Sequence, residues 1–208
     1  MVAVGLAASK KSPMALKGQK TKSDYIEWNK IQDLILKLER DGQNKMSLLI
    51  CVGIFTGLRI SDILKLEWSS IYGLEFLELI EKKTGKFRKI KINPSLKDSV
   101  NRNFEVLNPR KTKGLIFLNR FGKKPISVQY INRNLKKIVK DYKVVKDPST
   151  IKSHTWRKSF GRRIFENNDN SEKSLILLGE MFNHSNISTT KIYLGIRDKE
   201  IQDVYDNL

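Results

Sequence analysis

From Tyr25 onward, apolar stripes alternate with polar runs, and their spacing predicts the elements. Tyr25, Ile26, Trp28, Ile31, Leu34, Ile35 and Leu38 recur at helical intervals, and Asp41-Gly42 supplies a stop. Residues 46–55 are apolar on every side, so they predict a second, buried helix that breaks at Gly57. Arg59 falls in the bend that follows, and Ser61 has the position of an N-cap for a third helix running to Leu66. Beyond Trp68 the pattern changes. Residues 74–80 and 87–92 predict strands, joined at Lys83-Thr84-Gly85-Lys86 into a β-hairpin with lysines at its tip. Further helices are predicted over 100–107, 128–142, 154–166 and 173–182, with Pro109, Pro125 and Pro148 in loops. The fold class is therefore α+β, predominantly α-helical, with one small antiparallel β-sheet.

Composition adds a partner class to this picture. The 208 residues, 39% of them hydrophobic, are enough for one sizeable domain with a real core. Lys and Arg number 40 against 22 Asp and Glu, a net charge of +18, for which polyanionic nucleic acid is the most economical partner. Simple solubilising charge is the competing explanation, but the charge is uneven. Residues 133–163 hold 11 Lys or Arg against Asp141 and Asp147, whereas residues 164–208 hold 8 acids against 4 bases. Residues 1–22 carry five lysines and no acid, so they are expected to form a flexible basic arm. The single cysteine, Cys51, lies in the apolar run and reads as a small buried hydrophobe. That run is shorter than the ~20 residues of a membrane helix and contains two glycines. A cytoplasmic protein is expected, with no membrane association and nucleoid-associated when bound to DNA.

Candidate chemistry lies in the order Arg59, Lys83, His154, Arg157, His184, Tyr193. The only two histidines both sit in tight polar motifs, S-H-T-W-R and N-H-S-N-I-S-T-T-K-I-Y. His154 and Arg157 are three residues apart, which on a helix places them on one face. Ser188, Thr189 and Thr190 are positioned to cap a short helix carrying Tyr193. Taken singly, each feature has a bland explanation: an arginine on a solvated face, or a half-buried aromatic on a terminal helix. Together they supply what a tyrosine needs to attack a phosphodiester.

These residues resemble the tyrosine recombinases, or phage-type integrases, which are mechanistically akin to type IB topoisomerases. T-G-L-R-I-S-D-I-L-K-L-E-W is similar to the family's first box, with Arg59 as the first catalytic arginine. E-K-K-T-G-K resembles the turn bearing the catalytic lysine; Lys83, directly before Thr84-Gly85, matches best, with Lys82 and Lys86 as alternatives. S-H-T-W-R-K-S-F resembles the second box, with His154 and Arg157, and F-N-H-S-N-I-S-T-T-K-I-Y the third, with His184 and the nucleophile Tyr193. Two departures are visible: Phe182-Asn183 where many members have Leu-Gly, and Trp156 where many have Arg or another residue. Neither is expected to touch a catalytic group.

The resemblance implies a tyrosine-recombinase catalytic-domain fold over residues 23–195. It implies a site-specific recombinase or integrase that cleaves and rejoins DNA through a covalent 3′-phosphotyrosine. A tyrosine hydroxyl ionises only near pH ~10, so nearby cations must favour the phenolate as it attacks. Arg59 and Arg157 suit the phosphate oxygens and Lys83 the proton for the leaving 5′ hydroxyl. His154 is the acid/base candidate near the attacking oxygen, and His184 supports a phosphate oxygen. No carboxylate cluster suited to magnesium is visible, so no metal, other cofactor or ATP is expected. Relaxation of the type IB topoisomerase kind and noncatalytic DNA binding are the alternatives. The resemblance further implies a monomer in solution and a homo-tetramer on DNA. Residues 196–208 are expected to form a tail helix that docks in cis or on a neighbouring protomer. Lys86, Arg133, Lys136, Lys140, Lys158 and Arg162 are expected to face the duplex.

Overall fold

A computed structural model of the chain describes residues 23–109 and 112–208; the segment expected to form a basic arm lies outside the described residues. The order is α1 (Trp28–Arg40), α2 (Asn44–Thr56), α3 (Ile60–Ile63), β1 (Phe76–Ile80), β2 (Phe87–Lys91), α4 (Pro94–Leu107), α5 (Val128–Asp141), α6 (Thr155–Asn167), α7 (Glu172–Phe182), α8 (Ile187–Leu194) and α9 (Ile196–Asp206). None of these helices is long and apolar enough to cross a membrane.

Helix α2 is the axle. Its apolar surface runs all round, so α1, α4 and α6 each pack on a different side of it. α1 contributes Ile31, Leu34, Ile35 and Leu38, the stripe read from sequence, and α6 contributes Trp156. Trp156 lies against Gly53, where an added Cβ would sit 2.9 Å from its own Cβ. The helix starts at Trp28 rather than Tyr25 because the segment before it is drawn out along α6. There Ile26 N donates to Ser159 Oγ at 2.9 Å, and that hydroxyl donates back to Ile26 O at 2.8 Å.

α2 ends at Gly57, whose φ of +61° lies in the left-handed region. A Cβ there would also lie 2.5 Å from Phe160 Cδ1. The backbone penalty and this overlap act together, so Gly57→Ala is expected to destabilise the fold by about 3 kcal/mol. Chemical denaturation checks this, and a loss below about 1 kcal/mol would show that α6 yields at Phe160.

Two further boundaries differ from the sequence expectation. α3 is a single turn beginning at Ile60, with Arg59 rather than Ser61 in the N-cap position. Its Asp62 carboxylate reaches the hairpin, accepting from Lys82 N at 2.9 Å. α4 begins at Pro94, six residues before Val100, because Asn93 caps it by accepting from Leu96 N at 2.9 Å and proline suits the first helical position. The sheet is the expected antiparallel pair, with Leu77 opposite Ile90 and Ile80 opposite Phe87.

A second, smaller core of Phe165, Leu175, Leu178, Phe182, Leu194 and Ile196 holds α6, α7 and α8 together. Gly161 lets them close: a Cβ there would lie 2.6 Å from Leu194 Cδ2. Of the tail stripe, Ile196 is buried in this core, while Ile201, Val204, Tyr205 and Leu208 are exposed.

Candidate active site

The two cores meet at the main-chain carbonyl of Phe182. This residue ends α7, and Asn183 takes the left-handed cap at φ 55°, which leaves terminal carbonyls facing out of the helix. Such an end carries partial negative charge and attracts cations. Arg59 Nη2 donates to Phe182 O at 3.1 Å, and Arg157 Nη2 donates to the same oxygen at 3.2 Å. Arg157 Nη1 also donates to Gly57 O at 2.5 Å, and its guanidinium lies 4.2 Å from the centre of the Phe182 ring. Arg157 is only 3% exposed, and burial pushes its pKa down to about 10, still charged at neutral pH.

Beside the arginines stands a carboxylate that sequence reading missed. Glu81 is 2% exposed. Its Oε2 accepts from Arg59 Nη1 at 2.7 Å and Thr84 Oγ1 at 2.8 Å, and its Oε1 accepts from Arg88 Nη1 at 3.2 Å. Arg88 Nη1 further donates to Met181 O at 2.8 Å. Burial alone would raise the Glu81 pKa, but the hydrogen bonds from Thr84 and Arg59 and the charges of Arg59 and Arg88 outweigh it and hold it below the usual carboxylate value.

Tyr193 rides on α8. The cap of this helix is Asn186, which accepts from Thr189 N at 2.8 Å, not Ser188, Thr189 or Thr190. Thr190 is instead buried against His184, its Oγ1 lying 3.0 Å from His184 Nδ1. The Tyr193 ring meets Phe182 and His184 edge-on at 5.5 and 5.2 Å between centroids, and the Lys158 ammonium lies 5.3 Å from its centre. Among the described residues the hydroxyl is buried without a hydrogen-bond partner. Burial pushes its pKa up to about 12, while Arg157 and Arg59 pull the other way; Arg157 acts from close by without an aligned hydrogen bond. In this arrangement the tyrosine is protonated at neutral pH, beside the cations that would stabilise its anion.

The hairpin closes over this centre. Glu81 N donates to Lys86 O and Gly85 N to Glu81 O, each at 2.9 Å, with Gly85 at φ +67°. Lys86 donates to Asn183 Oδ1, which ties the tip to the segment between α7 and α8. Lys83 is exposed, and it is the hairpin lysine whose charge acts on His154. His154 sits at the N-cap position of α6, exposed at the rim, so it does not share the buried face of Arg157. Desolvation first, then the charges of Arg157, Lys158, Arg59 and Lys83, lower its pKa. The His184 pKa is lowered by burial and then by Arg157 and Arg59. Both rings are thus neutral at neutral pH. The structure therefore gathers Arg59, Arg157, His184 and Tyr193 at one point and sets Lys83 and His154 at its edge.

The six residues expected to face DNA divide. Arg133, Lys136 and Lys140 are exposed on α5, with Arg133 stacked 5.8 Å from the Tyr130 ring. Lys86 is exposed although tied to Asn183. Lys158 and Arg162 differ from these four, because the side of α6 that carries them packs under the segment before α1. Lys158 is 7% exposed and its Nζ donates to Ser23 O at 2.7 Å. Arg162 lies 4.5 Å over the Tyr25 ring, donates to Tyr25 Oη at 3.2 Å and pairs with Glu166. Among the described residues, no group of three or more His, Cys, Asp or Glu converges to hold a metal ion.

Comparison with known proteins agrees with this geometry. The model of the phage integrase family matches residues 25–200. Tyrosine recombinase XerD of Lacticaseibacillus casei is 32% identical over 154 residues, which cover 72% of this chain and 50% of the relative. The probable integrase/recombinase YoeC of Bacillus subtilis (strain 168) is 31% identical over 180 residues, 84% of this chain and 87% of the relative. The chain thus spans half the length of XerD but most of YoeC. A crystal structure of the XerH site-specific recombinase bound to its difH substrate, in a pre-cleavage complex, superposes with a TM-score of 0.62 at 19% identity. That match covers 88% of this chain and 54% of XerH, and at this identity it establishes the fold.

Proposed function

From the premise that this chain belongs to the phage integrase family, we propose that it is a site-specific DNA recombinase that cleaves and rejoins strands through Tyr193. One observation carries the reading: Arg59 and Arg157 converge on a single oxygen, Phe182 O, beside a buried, unpartnered tyrosine hydroxyl. That is a site for an anion next to a nucleophile. Each guanidinium retains further N–H groups for the nonbridging oxygens of a phosphodiester. Tyr193 Oη attacks phosphorus, the bond to O5′ breaks, and the leaving oxygen takes a proton from Lys83. The tyrosine proton goes to His154, which is held neutral and so able to accept it. The phosphotyrosine conserves the energy of the broken bond, so a 5′ hydroxyl reverses the step without ATP and with no metal ion required.

Double-stranded DNA is the partner of this reading, gripped along α5 by Arg133, Lys136 and Lys140. The protein acts in the cytoplasm, as a monomer in solution and a homo-tetramer on two DNA sites. The exposure of Ile201, Val204 and Tyr205 on α9 supports docking of the tail on a neighbouring protomer. The test is strand joining: two labelled duplexes from the DNA flanking its own gene, incubated with the protein, EDTA and no nucleotide. Joined product is expected. Relaxation of supercoiled DNA without joining would favour topoisomerase chemistry, and binding without cleavage would favour a noncatalytic role.

A further inference from the structure

We propose that Glu81 is a positioning residue that holds Arg59 and the Lys83 turn in one frame, so that phosphate binding and leaving-group protonation are set together. The inference rests on the strand-cleavage reading above. It starts from an anomaly: a buried carboxylate beside a phosphodiester site repels the substrate, and losing water makes its charge costly.

What Glu81 touches accounts for its presence. A single oxygen, Oε2, accepts from Arg59 on one side and from Thr84, the neighbour of Lys83, on the other. The other oxygen takes Arg88, which reaches on to Met181 O, one residue before the carbonyl that Arg59 itself holds. These contacts close a ring from Arg59 through Glu81 and Arg88 to the end of α7 and back. The main chain of Glu81 also closes the hairpin loop at both ends, through Lys86 O and Gly85 N. Displacing this carboxylate therefore moves Arg59 and releases the lysine tip at the same time. Among the described residues, the other anchors near the tip are the Lys82 N bond to Asp62 and the Lys86 bond to Asn183 Oδ1, and neither reaches Arg59.

Two DNA substrates separate positioning from plain structural support: an ordinary duplex, and one in which sulfur replaces the bridging 5′ oxygen. In both, Oη bonds to phosphorus and the 5′ atom leaves with the electron pair. Sulfur leaves as a thiolate, whose conjugate acid has a pKa of ~8.5, so it needs no proton from Lys83. Thr84→Val cuts the link to the tip, together with the turn's own Lys86 N bond to Thr84 Oγ1, and leaves the Arg59 bond to Glu81 in place. It is expected to slow adduct formation on the oxygen substrate roughly tenfold and leave the sulfur substrate unchanged. Glu81→Ala disturbs Arg59 as well, so the sulfur substrate is expected to slow roughly a hundredfold and the oxygen substrate roughly a thousandfold. Glu81→Gln, which keeps the acceptors, should recover part of both rates.

A sulfur-to-oxygen rate ratio equal to that of the wild type in Thr84→Val and Glu81→Ala overturns the inference, even if melting temperatures fall. If Glu81→Ala does not fold, Thr84→Val and Glu81→Gln decide by the same ratio. Failure of the wild type to form an adduct with either substrate would overturn the cleavage reading itself, and this inference with it.

Discussion

Tyr193→Phe is expected to melt higher than the wild type while forming no covalent adduct with DNA. Its hydroxyl is buried and has no hydrogen-bond partner. Leaving such a group dry and unpaired costs about 1–3 kcal/mol, and phenylalanine removes the oxygen while keeping the ring against Phe182 and His184. A gain of about 1 kcal/mol corresponds to roughly 2–4 °C in a chain of this size. In the proposed reaction the same oxygen attacks phosphorus, so the variant is expected to have no covalent chemistry. Stability and activity therefore oppose each other at one atom. A thermal melt read beside a denaturing gel checks both halves. An unchanged or lower melting temperature would mean that the hydroxyl finds a partner in solution.

Arg157→Ala should fail on both counts. Arg157 joins the two cores by donating to Gly57 O and Phe182 O and by stacking on the Phe182 ring. Its loss strands a buried carbonyl and empties the space beneath Tyr193, a destabilisation of about 3 kcal/mol. It also removes half of the anion site, for which a loss of about a thousandfold in cleavage rate is expected. Arg157→Lys sharpens the prediction. An ammonium keeps the charge but lacks the fork that spans two carbonyls, so stability should recover in part and cleavage should not. Single-turnover cleavage on folded protein separates the two effects, and a lysine variant with wild-type cleavage would show that charge alone suffices.

Much of this site was visible before the structure because its residues sit in local motifs. Gly57 and Arg59 share one box, His154 and Arg157 a second, His184 and Tyr193 a third. The buried helix was equally plain, since residues 46–55 leave no polar face. What local patterns do not carry is pairing at a distance. Glu81 finds Arg59 22 residues away and Arg88 across the hairpin, and its own neighbours Lys82 and Lys83 make it look like one more charge on a solvated turn. The signal that was available is that the run E-K-K-T-G-K-F-R-K holds a single acid.

Charge counting likewise does not separate Lys158 and Arg162 from the exposed cations of α5. It cannot show that α6 is covered on one side by α2 and on another by the segment before α1, which captures Lys158 through Ser23 O. The caps followed the same rule. Asn186 caps α8 in place of Ser188, Thr189 or Thr190, and Asn93 starts α4 well before its apolar stripe, because asparagine is as good an N-cap as serine. The tail stripe is apolar in the sequence, but only Ile196 of it is buried, while Ile201, Val204, Tyr205 and Leu208 stay exposed.

The account stands or falls on which residue becomes attached to DNA. A nicked duplex that loses the short strand after cleavage traps the covalent complex, and proteolysis followed by mass spectrometry locates the nucleotide. The expected result, with EDTA present, is one modified peptide containing Tyr193. Attachment to another of the six tyrosines, or to a serine, would contradict the assignment, as would a protein that binds the duplex and never becomes linked to it.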